Sequence, residues 1–275
     1  MEGDLINYKN SQISYRHSGS GPKPAICFHG YGEDATSFEF LGNNAGNQFT
    51  FYAIDLPFHG RTQWNDELSF TINDLQQIIK KITDQHYQRP GTSNQQLLLL
   101  GFSLGGRIAL SLYQAIPEQI EKLVLLAPDG LKVNFWYWLA TQTWTGTKLF
   151  AFTMYHPGWF FGLLKVLNKL QLVNASIFKF VNYYIGDKKA RKILHDRWIS
   201  LRKIKPDIQH IKSLVLKFKT PVRLAYGKHD RIILSSVGEK FRKGIEEQCS
   251  ITVIHSGHQV LHERHISELL PILLN

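Results

Sequence analysis

The stretch that decides the fold is Leu97-Leu98-Leu99-Leu100-Gly101-Phe102-Ser103-Leu104-Gly105-Gly106-Arg107-Ile108-Ala109-Leu110. Four consecutive leucines have the length and apolarity of a buried strand, and the run stops at a glycine. Ser103 stands two residues on and Gly105 two beyond that, after which a helical pattern begins over 104–115. Strand, sharp turn and helix, with Gly-x-Ser-x-Gly at the turn, hold a serine hydroxyl above a sheet on a strained backbone. Glycine flanks the serine on both sides because a side chain at either place collides across the turn. The helix that follows aims its first N–H groups and the positive end of its dipole at the same spot. Alone, the pattern also fits an ordinary N-cap serine.

Three other segments, in a telling chain order, weigh against that plainer reading. Pro24-Ala25-Ile26-Cys27-Phe28-His29-Gly30-Tyr31-Gly32 is a short apolar strand ending in a glycine-rich loop that can turn a backbone N–H toward the serine. Acyl transfer needs donors aimed at the oxygen that becomes an oxyanion, and losing one costs about 3 kcal/mol. Pro221-Val222-Arg223-Leu224-Ala225-Tyr226-Gly227-Lys228-His229-Asp230 is a strand whose following loop carries an acid. Ile251-Thr252-Val253-Ile254-His255-Ser256-Gly257-His258 is a strand whose following loop carries histidine. The order is Ser, Asp, His.

On these motifs the chain resembles the α/β-hydrolase superfamily over nearly its whole length. The resemblance implies an α/β fold: a mostly parallel eight-stranded sheet flanked by helices, with a helical lid inserted between strands six and seven. It implies that Ser103 is the nucleophile, Asp230 the acid and His258 the base, with the backbone N–H groups of Tyr31 and Leu104 as the oxyanion hole. Asp55-Leu56-Pro57-Phe58-His59-Gly60-Arg61-Thr62 also looks like the family's loop after its fourth strand. There the family more often shows Gly-His-Gly-x-Ser, from which Phe58 and Thr62 depart.

Composition sets the frame. A chain of 275 residues with 43% hydrophobic content suits one large domain or a core with an insertion. Cys27 and Cys249 fall on predicted interior strands and read as small core residues, not as a disulfide or a metal site. The first residues lack a basic stretch followed by an apolar one, so no secretory signal is expected, and a reducing, cytoplasmic setting is. The net charge of +10 is concentrated: residues 131–219 hold sixteen Lys and Arg against Asp187, Asp196 and Asp207 alone. The same segment holds half of the 34 aromatic residues and five of the six tryptophans, a composition shift that marks a distinct unit.

Along the chain, an opening hairpin is predicted at 4–8 and 12–17, strands near 24–28 and 50–54, a helix over 71–84, a loop over 87–96 and a strand over 122–127. The core is expected at 1–130 and 211–275, with a lid domain at 131–210. Strands alternating with helices argue for a parallel sheet, whose functional site lies beyond the carboxyl ends of the strands. Leu149 to Leu167 is nearly continuous in apolar character, but His156, Pro157, Gly158 and Lys165 interrupt it. Pro157-Gly158 predicts a turn between two helices in place of one membrane span.

Each candidate has a plainer reading beside it. Asp129, after strand six, rivals Asp230 as the acid but also suits a tight Asp-Gly turn. His255, His262 and His265 rival His258 but stand less well on the loop. His29, Asp55 and His59 read as loop-stabilising residues and Arg107 as a helix-surface or salt-bridge residue on the elbow helix. Trp136, Trp138, Trp159 and Phe160 are the substrate-pocket candidates, although lid aromatics as a class also pack a lid onto its core. The basic residues fit either a solvated face or an anionic membrane surface, and no nucleic-acid motif is visible.

The expected function is a serine hydrolase acting on a carboxylic ester or thioester with an apolar acyl group, without metal or organic cofactor. Two alternatives stand beside it. One is a carbon–carbon hydrolase or a lyase of the menaquinone-pathway type, whose elbow resembles Ser103-Leu104-Gly105-Gly106-Arg107. The other is a non-catalytic ligand-binding protein of the same fold. Fold alone does not choose among them.

Overall fold

The computed structural model describes residues 3–86, 96–170 and 185–275. Its strands are β1 (Asp4–Tyr8), β2 (Ser11–Ser18), β3 (Lys23–Phe28), β4 (Phe49–Ile54), β5 (Leu97–Phe102), β6 (Ile120–Leu126), β7 (Val222–Gly227) and β8 (Cys249–Ile254). They form one sheet in the order β1-β2-β4-β3-β5-β6-β7-β8. The pairs β1/β2 and β2/β4 are antiparallel and the other five are parallel. The hairpin thus lies at one edge of a parallel sheet, and β3, β5 and β6 sit near its middle, buried on both faces.

Alternation along the strands builds two faces. Ala25, Cys27, Leu98, Leu100, Val124 and Leu126 share one apolar cluster with Leu41 and Ala45 of α1 (Glu39–Ala45) and Leu269, Ile272 and Leu273 of the C-terminal helix Ile266–Leu274. The intervening residues Ile26, Phe28, Leu99, Leu123 and Leu125 point the other way. There α3 (Leu104–Ala115) lies against β3, β5 and β6, and α2 (Ile72–His86) lies against α3. The helix read from sequence over 71–84 starts at Ile72 because Thr71 and Asp74 cap it reciprocally. Thr71 N–H donates to Asp74 Oδ2 at 2.9 Å and Asp74 N–H to Thr71 Oγ1 at 3.2 Å. Of the loop read over 87–96, residues 87–95 lie outside the described residues.

The chain divides into two compact units. The first, Met1–Asp66, Phe70–Lys132 and Ile204–Asn275, contains the whole sheet. The second is Val133–Lys203 with Glu67–Ser69, and its described residues form α4 (Phe135–Gln142), α5 (Trp144–Tyr155), α6 (Gly158–Lys169) and α7 (Lys188–Ser200). Residues 204–210 group with the sheet, whereas the reading from sequence had assigned them to the insertion. The reason is local: Asp207 caps α8 (Ile208–Phe218), whose Ile211, Leu214 and Val215 are buried. The long apolar stretch breaks after Tyr155 and resumes as helix at Gly158. Among the described residues no helix is long and apolar enough to cross a membrane.

Hydrogen bonds hold the loop after β4, which carries the two unusual residues. Phe58 occupies the left-handed region at φ +63°, where glycine would sit without strain. Asp55 accepts from the N–H groups of Ala35 at 2.7 Å and Arg61 at 3.0 Å. The buried Thr62 hydroxyl donates to the Asp55 carbonyl at 2.7 Å and accepts from Ser14 N–H at 3.0 Å, so it ties this loop to β2. Replacing Thr62 by Val leaves both partners unsatisfied and should cost about 2 kcal/mol in urea unfolding. Thr62→Ser keeps the hydroxyl and should cost much less; equal losses in the two variants would mean that the methyl group, not the hydroxyl, matters.

Candidate active site

The site begins with a constraint on the turn after β5. Ser103 has φ +50° and ψ −114° and leads directly into α3. Main-chain bonds hold it there. Its N–H donates to the Leu126 carbonyl at 2.9 Å, and its carbonyl accepts from Asp129 N–H at 2.8 Å and Gly106 N–H at 2.9 Å. A Cβ on Gly105 would lie 1.8 Å from the Phe28 carbonyl oxygen, and one on Gly101 would lie 2.4 Å from the Gly105 carbonyl. Only glycine lets the helix come this close to the ends of β3 and β5.

Two further loops bring partners to the serine. Asp230 follows β7; its fully buried carboxylate accepts from the N–H groups of Ile232 at 2.7 Å and Ile233 at 3.0 Å through Oδ1. Its other oxygen, Oδ2, lies 2.7 Å from His258 Nδ1. A carboxylate only accepts, so Nδ1 carries the proton and Nε2 is left as an acceptor. That Nε2 lies 3.0 Å from Ser103 Oγ. The loop of His258 reaches this position because Gly227, at the end of β7, has no side chain: a Cβ there would meet the Gly257 carbonyl at 1.8 Å. Chemically, the line of carboxylate, imidazole and hydroxyl can take a proton from Ser103 and hold the imidazolium that results.

The oxyanion-hole candidates are Leu104 and Tyr31. Leu104 is the first residue of α3, so its N–H has no carbonyl partner within the helix. Tyr31 follows β3, half-buried, with its ring edge-on to His59. Its loop is pinned by His29, which is fully buried. His29 Nδ1 lies 2.8 Å from the Gly30 carbonyl and its Nε2 accepts from Leu56 N–H at 3.1 Å. Both ring nitrogens are therefore occupied in building the loop.

The rival candidates are accounted for elsewhere. Asp129 accepts from Gly130 N–H at 2.8 Å and lies 3.4 Å from Arg107 Nε, forming the salt bridge expected of Arg107. His255 faces His229 at 3.2 Å, His262 accepts from Arg264 N–H, and Arg264 donates to His265. In the second unit, Trp136, Trp138 and Trp159 are 72%, 37% and 41% exposed, and Phe160 is half-buried. Among the described residues one group of side chains could hold a metal ion: Asp4, His17 and His86, whose ligand atoms all lie within 4.8 Å of one another. None of them belongs to the triad.

Sequence reading missed a second set of residues. Gln259, next to His258, donates to Glu33 Oε1 at 2.9 Å and to the Leu261 carbonyl at 3.2 Å. Glu33 Oε2 in turn accepts from Gly30 N–H at 3.4 Å. This pair joins the loop of Tyr31 to the loop of His258, and no local pattern announces a contact between residues so far apart in the chain. Phe102 lies 5.4 Å from the His258 ring and backs it.

Comparison with known proteins bears on the family and the fold. Residues 22–265 match the family model described as serine aminopeptidase, S33. The uncharacterized hydrolase YugF of Bacillus subtilis (strain 168) is 25% identical over 260 residues, covering 92% of this chain and 89% of that protein. A pimeloyl-(acyl-carrier protein) methyl ester esterase of Hamiltonella defensa is 27% identical over 125 residues, 45% of this chain and 44% of the esterase. Among solved structures, a thermophilic esterase from Thermogutta terrifontis covers 99% of this chain and 98% of its own, with a TM-score of 0.66 at 16% identity. The thioesterase domain from the curacin biosynthetic pathway covers 99% of both chains, with a TM-score of 0.62 at 17% identity. At these identities the structural likeness is one of fold.

Burial lowers the pKa of His29 below that of an ordinary imidazole. Below about pH 6.5 the unfolded chain binds a proton on this ring that the folded chain resists, so stability from His29 is present above that pH and lost as pH falls. His29→Gln keeps an acceptor for Leu56 but removes the titration. Its loss of Tm between neutral and mildly acid pH should be shallower than that of the wild type; parallel slopes would mean that His29 titrates alike in both states.

Proposed function

We propose that this chain, which belongs to the serine aminopeptidase S33 family of α/β-hydrolases, cleaves a carboxylic ester or thioester through an acyl-enzyme on Ser103. Membership of that family makes it a hydrolase enzyme, which sets aside the non-catalytic reading. The observation that carries the proposal is the unbroken line Asp230–His258–Ser103, with separations of 2.7 and 3.0 Å. The esterase name of one relative supports the choice of bond. An aminopeptidase, the other activity that the family's description suggests, must recognise the substrate's α-ammonium group. The insertion is poor in groups for that, with no Asp or Glu between Asp129 and Asp187.

In this mechanism Ser103 Oγ attacks the carbonyl carbon as His258 Nε2 takes its proton. Asp230 holds the imidazole in the tautomer that accepts and stabilises the imidazolium. The N–H groups of Tyr31 and Leu104 receive the oxyanion. Collapse of the tetrahedral adduct expels the alcohol or thiol, which takes the proton from His258 and leaves the acyl group on Ser103. Water, deprotonated by the same imidazole, then releases the acid. Of the four named candidates, Phe160 and Trp138 are the least exposed, and these two rings supply the apolar surface for the acyl group. No metal or organic cofactor takes part in these steps. The buried free thiols of Cys27 and Cys249 suit a reducing, cytoplasmic setting.

Ser103→Ala should lower hydrolysis of short p-nitrophenyl esters by about 10⁴-fold or more and abolish labelling by a fluorophosphonate probe. Retention of a tenth of the activity would exclude Ser103 as the nucleophile. Asp230→Asn should cost roughly 10⁴-fold in kcat, whereas Asp129→Asn should change it only several-fold; the reverse ranking would move the acid to the loop after β6.

Chain-length dependence tests the acyl pocket. Each methylene buried is worth about 0.8 kcal/mol, so kcat/KM should rise roughly several-fold per added pair of carbons from acetyl toward octanoyl esters until the pocket is full. A flat or falling series would remove the apolar-acyl assignment.

A further inference from the structure

The helical unit turns its polarity partly inside out. On α5 the outward residues Trp144, Leu149, Phe152 and Tyr155 are all exposed, Trp144 by 72% and Tyr155 by 67%. On the same helix Thr153 is buried, and its hydroxyl is satisfied by the Leu149 carbonyl at 2.8 Å. Buried Thr141 of α4 is treated alike, donating to the Tyr137 carbonyl at 2.7 Å. Helix α6 and its C-cap carry Trp159, Leu163, Val166 and Leu170 at spacings of four, three and four residues, which places them on one stripe, and all four are exposed. Large apolar side chains scattered singly on a surface need no explanation, but stripes of them do.

Charge says what they meet. From residue 130 to residue 186 the sequence has no Asp or Glu. Lys148, Lys165 and Lys169 are exposed among the apolar stripes, and Lys148 Nζ lies 3.8 Å from the ring centroid of Trp144. A second copy of the chain would press one basic, acid-free face against another with nothing to neutralise either. A bilayer with anionic headgroups answers both features. Indole and phenol rings settle at the boundary between headgroups and acyl chains, aliphatic side chains enter below it, and lysines meet lipid phosphates.

We infer that the exposed stripes of α5 and α6 dock the protein on an anionic lipid surface. The inference is independent of the chemistry at Ser103, and docking should survive Ser103→Ala unchanged. The experiment is co-sedimentation with vesicles of phosphatidylcholine, with and without phosphatidylglycerol, read also by tryptophan emission.

Binding to the phosphatidylglycerol vesicles should be about tenfold or more the tighter, with a blue shift in emission, and should be lost as salt rises toward about 0.5 M. The double variant Trp144→Ala/Phe152→Ala, at exposed positions outside the triad, should bind these vesicles about tenfold more weakly while hydrolysing a soluble acetyl ester as before. Lys165→Glu/Lys169→Glu should lose the preference for phosphatidylglycerol. Equal partitioning onto the two vesicle types overturns the proposal, as does wild-type binding by both double variants. Self-association that Trp144→Ala/Phe152→Ala abolishes, without vesicle binding, assigns the stripes to a second copy instead.

Discussion

Everything at the site depends on how closely the first turn of α3 approaches the ends of β3 and β5. The Phe28 carbonyl occupies the space that a Cβ on Gly105 would need, and that proximity forces the chain through a left-handed residue at Ser103. Such a conformation costs of order 1–3 kcal/mol and persists only where its surroundings hold it. Here they do so through the main chain, with the Leu126 carbonyl on one side and the Asp129 and Gly106 N–H groups on the other. The hydroxyl is therefore aimed by the backbone of three neighbouring segments, and its direction does not rely on its own rotamer alone.

The same logic of close approach governs the other loops. Gly227 allows the loop of His258 to lie against the end of β7, so that Asp230 and His258 follow adjacent parallel strands. Asp230 is then fixed by two N–H groups on one oxygen, which leaves the other for the imidazole. The link from Gln259 to Glu33 couples the loop of His258 to the loop that carries Tyr31.

How far the residues foretold this varies with the range of the interaction. The central strands were legible because they are short apolar runs bounded by turn formers, and the elbow because its glycines answer a local collision. Ser103, Asp230 and His258 were legible because each stands just past a strand end, and the structure brings the three together. Phe58 was read as a departure from a familiar loop, but nothing local told that the backbone would keep a left-handed residue there. The Glu33–Gln259 pair left no trace, since it spans most of the chain and neither residue stands in a patterned segment. The outward rings of α5 were legible only as composition. Helical spacing reveals a stripe but not its direction, and the usual rule that apolar stripes face inward gives the wrong side for Trp144 and Tyr155.

Two kinds of constraint thus act on different parts of one chain. In the sheet unit, glycines and main-chain hydrogen bonds fix the turns that carry Ser103 and His258, and a side chain in the wrong place breaks the geometry. In the helical unit, most of the distinctive residues are exposed, so neither stability nor the line from Asp230 to Ser103 requires their identity. Tryptophan and lysine kept at exposed places, with acids left out for more than fifty residues, contribute little to folding and carry a cost in solubility. A surface with those properties is explained by what it meets rather than by what it supports. That is why the chemistry of this protein is best read from its turns, and its choice of partner from the faces that its helices leave uncovered.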